Sequence, residues 1–86
     1  MSIEKYRTQI DLIDQEMMEL FKKRMELSKL IGEYKKVNQL PIFDEKRERE
    51  ILLKRKSLLN DEKLWPYYEL FINQIFNLSK AYQHDQ

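Results

Sequence analysis

One unbroken heptad pattern constrains the fold of this chain more than any other feature. Ten residues from Ile3 to Tyr34 follow one another at alternating intervals of three and four. This spacing is typical of one face of a long α-helix that packs against other helices. It predicts a first helix over about residues 3–38, because Pro41 disfavours helix at the residue before it. We call this face the seam, and its members are Ile3, Tyr6, Ile10, Ile13, Met17, Leu20, Arg24, Leu27, Ile31 and Tyr34.

The rest of the chain predicts two shorter helices. Asp44 is a good N-cap for a second helix over about residues 44–58, and Glu45 and Glu48 suit the positive end of its dipole. Pro66 fits the first turn of a third helix, over about residues 66–83. The chain has one Gly and two Pro in 86 residues, and strand-like alternation is scarce. The predicted fold is therefore all-α, with one long and two short helices in a single domain over residues 1–86.

The helix lengths indicate that a second copy of the chain is needed. At 1.5 Å per residue the three helices are roughly 54, 22 and 27 Å long. The two short helices can line one flank of the long helix but cannot also cover the seam. A solvent-exposed apolar stripe of that length is unusual in a monomer. We therefore expect a homodimer in which the long helices pair about a two-fold axis.

Composition narrows the classes of function. The chain has no Cys and a single His, His84, which excludes disulfides, thiolate metal sites and a His-based metal cluster. The N-terminus lacks the apolar core of a signal peptide, and no apolar run is long enough to span a membrane. These absences favour a cytoplasmic protein. The formal net charge is +1 although 36% of residues are charged. This balance gives no electrostatic reason to expect binding to nucleic acid or to anionic lipid.

Three cations on the first helix are candidates for ligand binding. Arg24 is the charged member of the seam, where burial is costly unless the charge is paired. Lys35 lies about 20° around the helix and about 16 Å along it, so both cations can face one elongated cavity. Arg24 could instead pair with a nearby Glu or extend into solvent. Arg7 lies roughly 25 Å from Arg24, so it could reach the site of a partner in an antiparallel dimer or simply be solvated.

Other polar residues also admit a structural and a functional interpretation. The charged run over residues 44–48 can be a solvated face or part of a site. Ser79 and Gln83 lie four residues apart on the third helix. They can belong to a solvent-exposed helix end or supply hydrogen-bonding groups to a pocket. Gly32 lies mid-helix, where Gly costs roughly 1 kcal/mol relative to Ala. It could admit a close neighbour or a ligand.

Taken together, these residues form one pattern over nearly the whole chain, from about Tyr6 to Gln83. The pattern reads Arg7, Ile10-Asp11-x-Ile13-Asp14, Arg24, Ile31-Gly32-x-x-Lys35, Pro41-Ile42-x-Asp44-x-x-Arg47-Glu48 and Ser79-x-x-x-Gln83. It resembles the small all-helical chorismate mutase family. Each residue alone is a weak signal, but the combination at these intervals is specific.

The resemblance implies an activity and an assembly. It implies an isomerase that rearranges chorismate to prephenate, in phenylalanine and tyrosine biosynthesis, without metal, cofactor or covalent intermediate. It also implies an intertwined homodimer in which each chain donates Arg7 to its partner's site. Mutase-like domains occur fused or bound to other enzymes of the shikimate pathway, so such an association is a further expectation.

The same resemblance implies roles for individual residues. Lys35 and Gln83 would donate hydrogen bonds to the ether oxygen of chorismate. Arg24 and the partner subunit's Arg7 would bind its carboxylates and complete the catalytic set. Glu48 would accept a hydrogen bond from the ring hydroxyl. The remaining substrate contacts would be the Asp44 backbone near that hydroxyl, Arg47 and Ser79 at a carboxylate, and Ile31 and Phe76 as apolar walls.

Two other interpretations fit parts of the pattern. Isochorismate pyruvate-lyase has the same fold and a similar set of cations, but its loop looks different around the position that matches Asp44. Here Asp44-x-x-Arg47-Glu48 is intact, which favours the mutase. A non-catalytic or regulatory helical dimer would explain the seam equally well. It would not explain Arg24 within the seam, aligned with Lys35.

Overall fold

Three α-helices form the chain in the computed structural model, which describes residues 2–86. They are α1, Ile3–Val37, α2, Glu45–Leu59, and α3, Trp65–His84. No strand is present in the described residues. The predicted all-α fold with one long and two short helices is therefore confirmed. Met1, which the predicted domain includes, lies outside the described residues.

The helix ends follow from local backbone chemistry. The Asp44 carboxylate accepts a hydrogen bond from the backbone N–H of Arg47 at 3.0 Å, so Asp44 is the N-cap that the sequence predicts. Gln39, just after α1, has a φ of 56°, and Asn60 closes α2 with a φ of 48°. Left-handed backbone of this kind stops a helix. Pro41 also disfavours helical backbone at Leu40, so α1 does not continue into the connection.

Helix α3 lies alongside α1 and runs in the same direction. Ser28 and Gly32 of α1 contact Ser79 and Gln83 of α3, so one turn of α1 matches one turn of α3. Helix α2 packs on α3 rather than on α1. Because α3 has 20 residues and α1 has 35, the N-terminal turns of α1 project beyond the other helices. The molecule is accordingly elongated, with a longest dimension of 55 Å.

The seam lies on the surface of the single chain. Its nine apolar members are each between 45% and 63% exposed, whereas Ile72 and Phe76 of α3 are buried. Beside the seam, a largely apolar cavity of about 580 Å³ lies between α1 and α3, with Met17, Phe21 and Phe71 among its lining residues. The predicted dimer would bury this surface. No helix in residues 2–86 is long and apolar enough to cross a membrane.

Candidate active site

A cavity of about 340 Å³ lies where the three helices and the α1–α2 connection meet. This volume falls within the range of small-molecule sites, about 300–1,000 Å³. Each of the four segments contributes side chains to the wall. The lining residues are Arg24, Ile31 and Lys35 of α1, Ile42 and Asp44 of the connection, Arg47, Glu48 and Ile51 of α2, and Phe76, Ser79, Lys80 and Gln83 of α3.

Nine of the ten residues that the sequence predicts for the site line this cavity. Arg24 and Lys35 of α1 both contribute to its wall. Within the described part of the chain, Arg24 forms no ion pair, so the predicted alternative of a nearby Glu partner is not observed. The arrangement leaves the guanidinium available to an anionic ligand.

Arg7 is the predicted site residue that does not reach the cavity. Its side chain is 63% exposed and forms an ion pair with Glu4 at 2.8 Å. Helix geometry separates it from Arg24 by about 25 Å. Within one chain, Arg7 therefore belongs to the projecting end of α1 and not to the site.

A continuous hydrogen-bond network crosses the cavity wall from the connection to the α1–α3 interface. Lys35 Nζ donates to the carbonyl oxygen of Ile42 at 2.8 Å and to Gln83 Oε1 at 3.0 Å. Gln83 Nε2 in turn donates to Ser79 Oγ at 3.2 Å. The hydroxyls of Ser79 and Ser28 share a hydrogen bond of 2.6 Å. Ser28 is only 1% exposed, so the network ends inside the helix packing.

The chemistry of Lys35 fixes the orientation of the Gln83 amide. An ammonium group has three N–H donors and accepts nothing, so the amide oxygen of Gln83 must face it. The amide nitrogen then faces Ser79 with one of its two N–H groups. One N–H of Lys35 and one N–H of Gln83 remain for a ligand. Gln83 is only 8% exposed, which restrains it in this orientation.

Gly32 allows α1 to approach the last turn of α3. A β-carbon at Gly32 would lie 2.8 Å from both the Cα and the carbonyl oxygen of Gln83, which is closer than non-bonded atoms approach. The absence of a side chain at this position brings Lys35, one turn further along α1, within reach of Gln83. The mid-helix Gly that the sequence analysis singled out thus admits a close neighbour.

The cavity wall carries a net positive formal charge. Four cations and two carboxylates line it, which leaves a charge of +2. Lys80 Nζ lies 3.1 Å from Glu48 Oε2 and 4.4 Å from the centroid of the Phe43 ring. A concave, positively charged surface attracts anions and concentrates them. In residues 2–86, no group of three or more His, Asp or Glu is arranged to hold a metal ion.

Sequence reasoning missed several residues at the site. Lys80 lies on the same face of α3 as three predicted residues, at the i, i+3, i+4, i+7 spacing, and this signal could have identified it. The predicted residues on that face are Phe76, Ser79 and Gln83. Ser28 lies four residues after Arg24, on the same side of α1, but its pairing with α3 depends on how the two helices are aligned. Ile42 and Ile51 complete the apolar part of the wall.

The fold and the cavity define a class of protein: an all-helical domain with a cationic site sized for a small anionic molecule. Comparison with known families then assigns the chain. It belongs to the chorismate mutase type II family, which matches over residues 6–84. The family that the sequence pattern predicts is therefore confirmed.

Two curated relatives match shorter segments. A bifunctional chorismate mutase/prephenate dehydratase of Aquifex aeolicus is 44% identical over 52 residues, which cover 60% of this chain and 14% of the relative. A T-protein of Haemophilus influenzae is 40% identical over 50 residues, or 58% of this chain and 13% of the relative. The matched segment is therefore a small part of each relative's own length. No solved structure gives a significant match.

Proposed function

We propose that this chain rearranges chorismate to prephenate in its cationic cavity, as one half of a homodimer. The observation that carries the proposal is the Lys35–Gln83 pair. After their contacts within the chain, each of these neighbouring side chains retains one N–H donor. Two donors at one place in a cationic cavity suit a ligand oxygen that gains negative charge during a reaction.

The reaction requires the site to position the substrate and to stabilise the charge that develops on it. Chorismate rearranges in one concerted step, in which a C–O bond breaks while a C–C bond forms. No proton is transferred, so neither a nucleophile nor a general base is required. The site must hold the compact conformer in which the reacting carbons meet. It must also stabilise the ether oxygen, where negative charge develops as the C–O bond breaks.

Lys35 and Gln83 would stabilise that oxygen. Lys35 carries a full charge, and its contacts with Ile42 and Gln83 fix the direction of its ammonium group. Gln83 supplies a second, neutral donor. Both hydrogen bonds should strengthen as the oxygen gains charge, so they should contribute more to the transition state than to the bound substrate. This difference is what accelerates the reaction.

The arginines would bind the two carboxylates of the substrate. Arg24 lines the cavity and has no ion-pair partner in the described residues, and its planar fork can grip a carboxylate through two bonds. Arg47 and the Ser79 hydroxyl would support the carboxylate region. The partner subunit's Arg7 would close the site. The wall charge of +2 complements the two negative charges of chorismate.

The remaining lining residues would orient the ring. Glu48 would accept a hydrogen bond from the ring hydroxyl, with the Asp44 backbone nearby. Ile31 and Phe76, on opposite helices, would form apolar walls on either side of the ring. Such walls would restrict the movement of the ring and so help to hold the compact conformer.

The homodimer is supported by the surface of the single chain. The apolar members of the seam are exposed along the whole of α1, and the apolar cavity beside it is open to a further helix. Burial of this stripe by a second copy would remove a large apolar area from water. In an antiparallel arrangement of the long helices, the partner subunit's Arg7 would come to the cavity that Arg24 lines. The Aquifex aeolicus relative combines a mutase with prephenate dehydratase by name, which supports association with a prephenate-consuming enzyme.

A direct assay tests the proposal. Purified protein is offered chorismate and isochorismate separately, and products are identified by liquid chromatography against standards while the loss of chorismate absorbance is followed. We expect prephenate from chorismate, with heat-denatured protein as the control, and a dimer in sedimentation equilibrium. Salicylate and pyruvate from isochorismate, without prephenate from chorismate, would show a lyase instead. A monomer with no turnover would refute the proposal.

A further inference from the structure

Lys80 is held in one place by two different segments of the chain. Its ammonium group lies 3.1 Å from Glu48 Oε2 of α2 and 4.4 Å from the centroid of the Phe43 ring in the α1–α2 connection. The side chains of Lys80 and Glu48 are 27% and 22% exposed, so solvent screens this pair less than it screens a surface pair. By contrast, the Lys22–Glu19 pair on α1 is 3.4 Å apart and about two-thirds exposed.

The position of Glu48 matters because three other cations line the same cavity. A carboxylate free to move would be attracted to Arg24, Lys35 or Arg47. There it would occupy the places of the ligand's carboxylates and neutralise the charge that attracts them. Attachment to Lys80 at the α2–α3 side of the wall opposes this movement.

The pairing also leaves part of the Glu48 carboxylate available. Lys80 contacts Oε2, and Oε1 accepts no hydrogen bond from any of residues 2–86. A carboxylate has lone pairs on both oxygens, so Oε1 can accept a hydrogen bond from a ligand hydroxyl while Oε2 stays bound to Lys80. The cation–π contact with Phe43 fixes the ammonium from the other side.

We propose that Lys80 is a positioning residue that holds Glu48 away from the carboxylate-binding cations and presents Oε1 to the ring hydroxyl of the substrate. This inference rests on the proposed function. It assigns Lys80, which lies outside the pattern shared with the family, a part in the selection of a ligand that carries both two carboxylates and a hydroxyl. Lys80 acts through Glu48 and does not itself contact the substrate.

A double-mutant cycle tests this role. The Lys80→Met, Glu48→Gln and doubly substituted proteins are compared with the unsubstituted protein for kcat and KM with chorismate. Lys80→Met keeps the apolar stem and removes the charge. We expect it to raise KM about tenfold and to change kcat less than about threefold, since it weakens binding of the ground state and of the transition state alike. In the Glu48→Gln background, Lys80→Met should add less than about twofold, because the neutral amide is not drawn to the cations.

Two matched controls separate this role from a general effect on stability. Lys80→Arg retains a cation beside Glu48 and should keep KM within about threefold of the original value. Lys22→Met removes a lysine from an exposed ion pair that does not line the cavity and should leave both constants unchanged. Thermal unfolding of every variant checks that it is folded, and Lys80→Gln replaces Lys80→Met in the cycle if the methionine variant does not fold.

The outcomes distinguish the inference from the function on which it rests. Equal effects of Lys80→Met with and without Glu48→Gln would show that Lys80 contacts the substrate directly, and this would overturn the inference alone. An unchanged KM in Lys80→Met would overturn it as well. An unsubstituted protein with no turnover of chorismate would overturn the proposed function, and this inference with it.

Discussion

The Cα and carbonyl oxygen of Gln83 face Gly32 so closely that a β-carbon on Gly32 would lie 2.8 Å from each of them. The neighbouring atoms belong to the backbone of α3, which cannot rotate aside as a flexible side chain can. Gly in the middle of a helix costs about 1 kcal/mol relative to Ala. At this position, however, the absence of a β-carbon permits the close contact between α1 and α3 that brings Gln83 to Lys35.

We therefore expect Gly32→Ala to lower both stability and turnover. Overpacking costs about 1–3 kcal/mol, which exceeds the gain in helix propensity of about 1 kcal/mol. The displaced α3 would also carry Gln83 away from Lys35, and we expect kcat to fall about tenfold. Denaturant unfolding and steady-state kinetics measure the two effects. Glu33→Ala, at the exposed neighbouring position, should change neither, and an unaltered Gly32→Ala protein would contradict the expectation.

Lys35→Ala and Gln83→Ala should each lower kcat at least about a hundredfold, because in the proposed site each would remove a donor from the ether oxygen. The effect on KM should be smaller, since these hydrogen bonds strengthen in the transition state. Steady-state kinetics and circular dichroism together show whether turnover is lost while the fold is kept. Lys36→Ala, at the exposed next position on α1, is the control. Near-normal turnover in both variants would mean that the ether oxygen lies elsewhere.

Ser28→Ala should destabilise the protein modestly and lower turnover. The substitution removes the hydroxyl partner of Ser79 at a position that is almost completely buried. A lost hydrogen bond of this kind costs about 1 kcal/mol. Ser79 would then hold Gln83 less firmly, so kcat should fall about threefold. Ser57→Ala on the exposed face of α2 should leave both quantities unchanged, and equal behaviour of the two variants would argue against the network.

A shared site predicts that two inactive variants can restore activity to one another. Arg7→Ala and Arg24→Ala should each be nearly inactive as homodimers. In a mixed dimer, one site receives both intact arginines and the other receives neither. After unfolding and refolding together in equal amounts, half of the dimers are mixed, so activity should return to about a quarter of the original level. Recovery no greater than the sum of the separate variants would show that Arg7 does not cross to the partner.

Binding of a dianion should stabilise the protein. Prephenate at a hundred times its Kd should raise the free energy of unfolding by about 2.7 kcal/mol per site. Arg24→Leu should abolish this effect, because the leucine cannot bind a carboxylate. Thermal unfolding with prephenate, and with benzoate as a monoanionic control, measures it. A more stable Arg24→Leu dimer, with no effect of prephenate on the original protein, would instead favour a non-catalytic interaction module.

The helices could be predicted from sequence because their signals are local. The seam sets the length of α1, Asp44 caps α2, and Pro66 lies in the first turn of α3. Each observed helix end lies within one residue of the predicted end. The shared cavity wall of Arg24 and Lys35 follows from the geometry of a single helix, so the spacing of these residues was informative.

Contacts between helices could not be predicted in the same way. The Ser28–Ser79 and Lys80–Glu48 pairs depend on the rotation and the alignment of α3 against its neighbours. Periodicity identifies which face of a helix is apolar but not which residue it meets on another helix. The proposed place of Arg7 depends on a second chain, which local sequence patterns do not describe.

The hydrogen bond from Lys35 to the carbonyl oxygen of Ile42 gives the α1–α2 connection a fixed length. Loops between helices usually tolerate insertions and deletions, because little depends on their path. In this connection, however, one backbone carbonyl orients the ammonium group, and two residues later Asp44 caps the N-terminus of α2. One residue more or fewer between Asn38 and Asp44 would withdraw that carbonyl while leaving every helix intact. The length of this irregular stretch between α1 and α2 therefore matters to the site, and selection should act on it as strictly as on the identity of the side chains around the cavity.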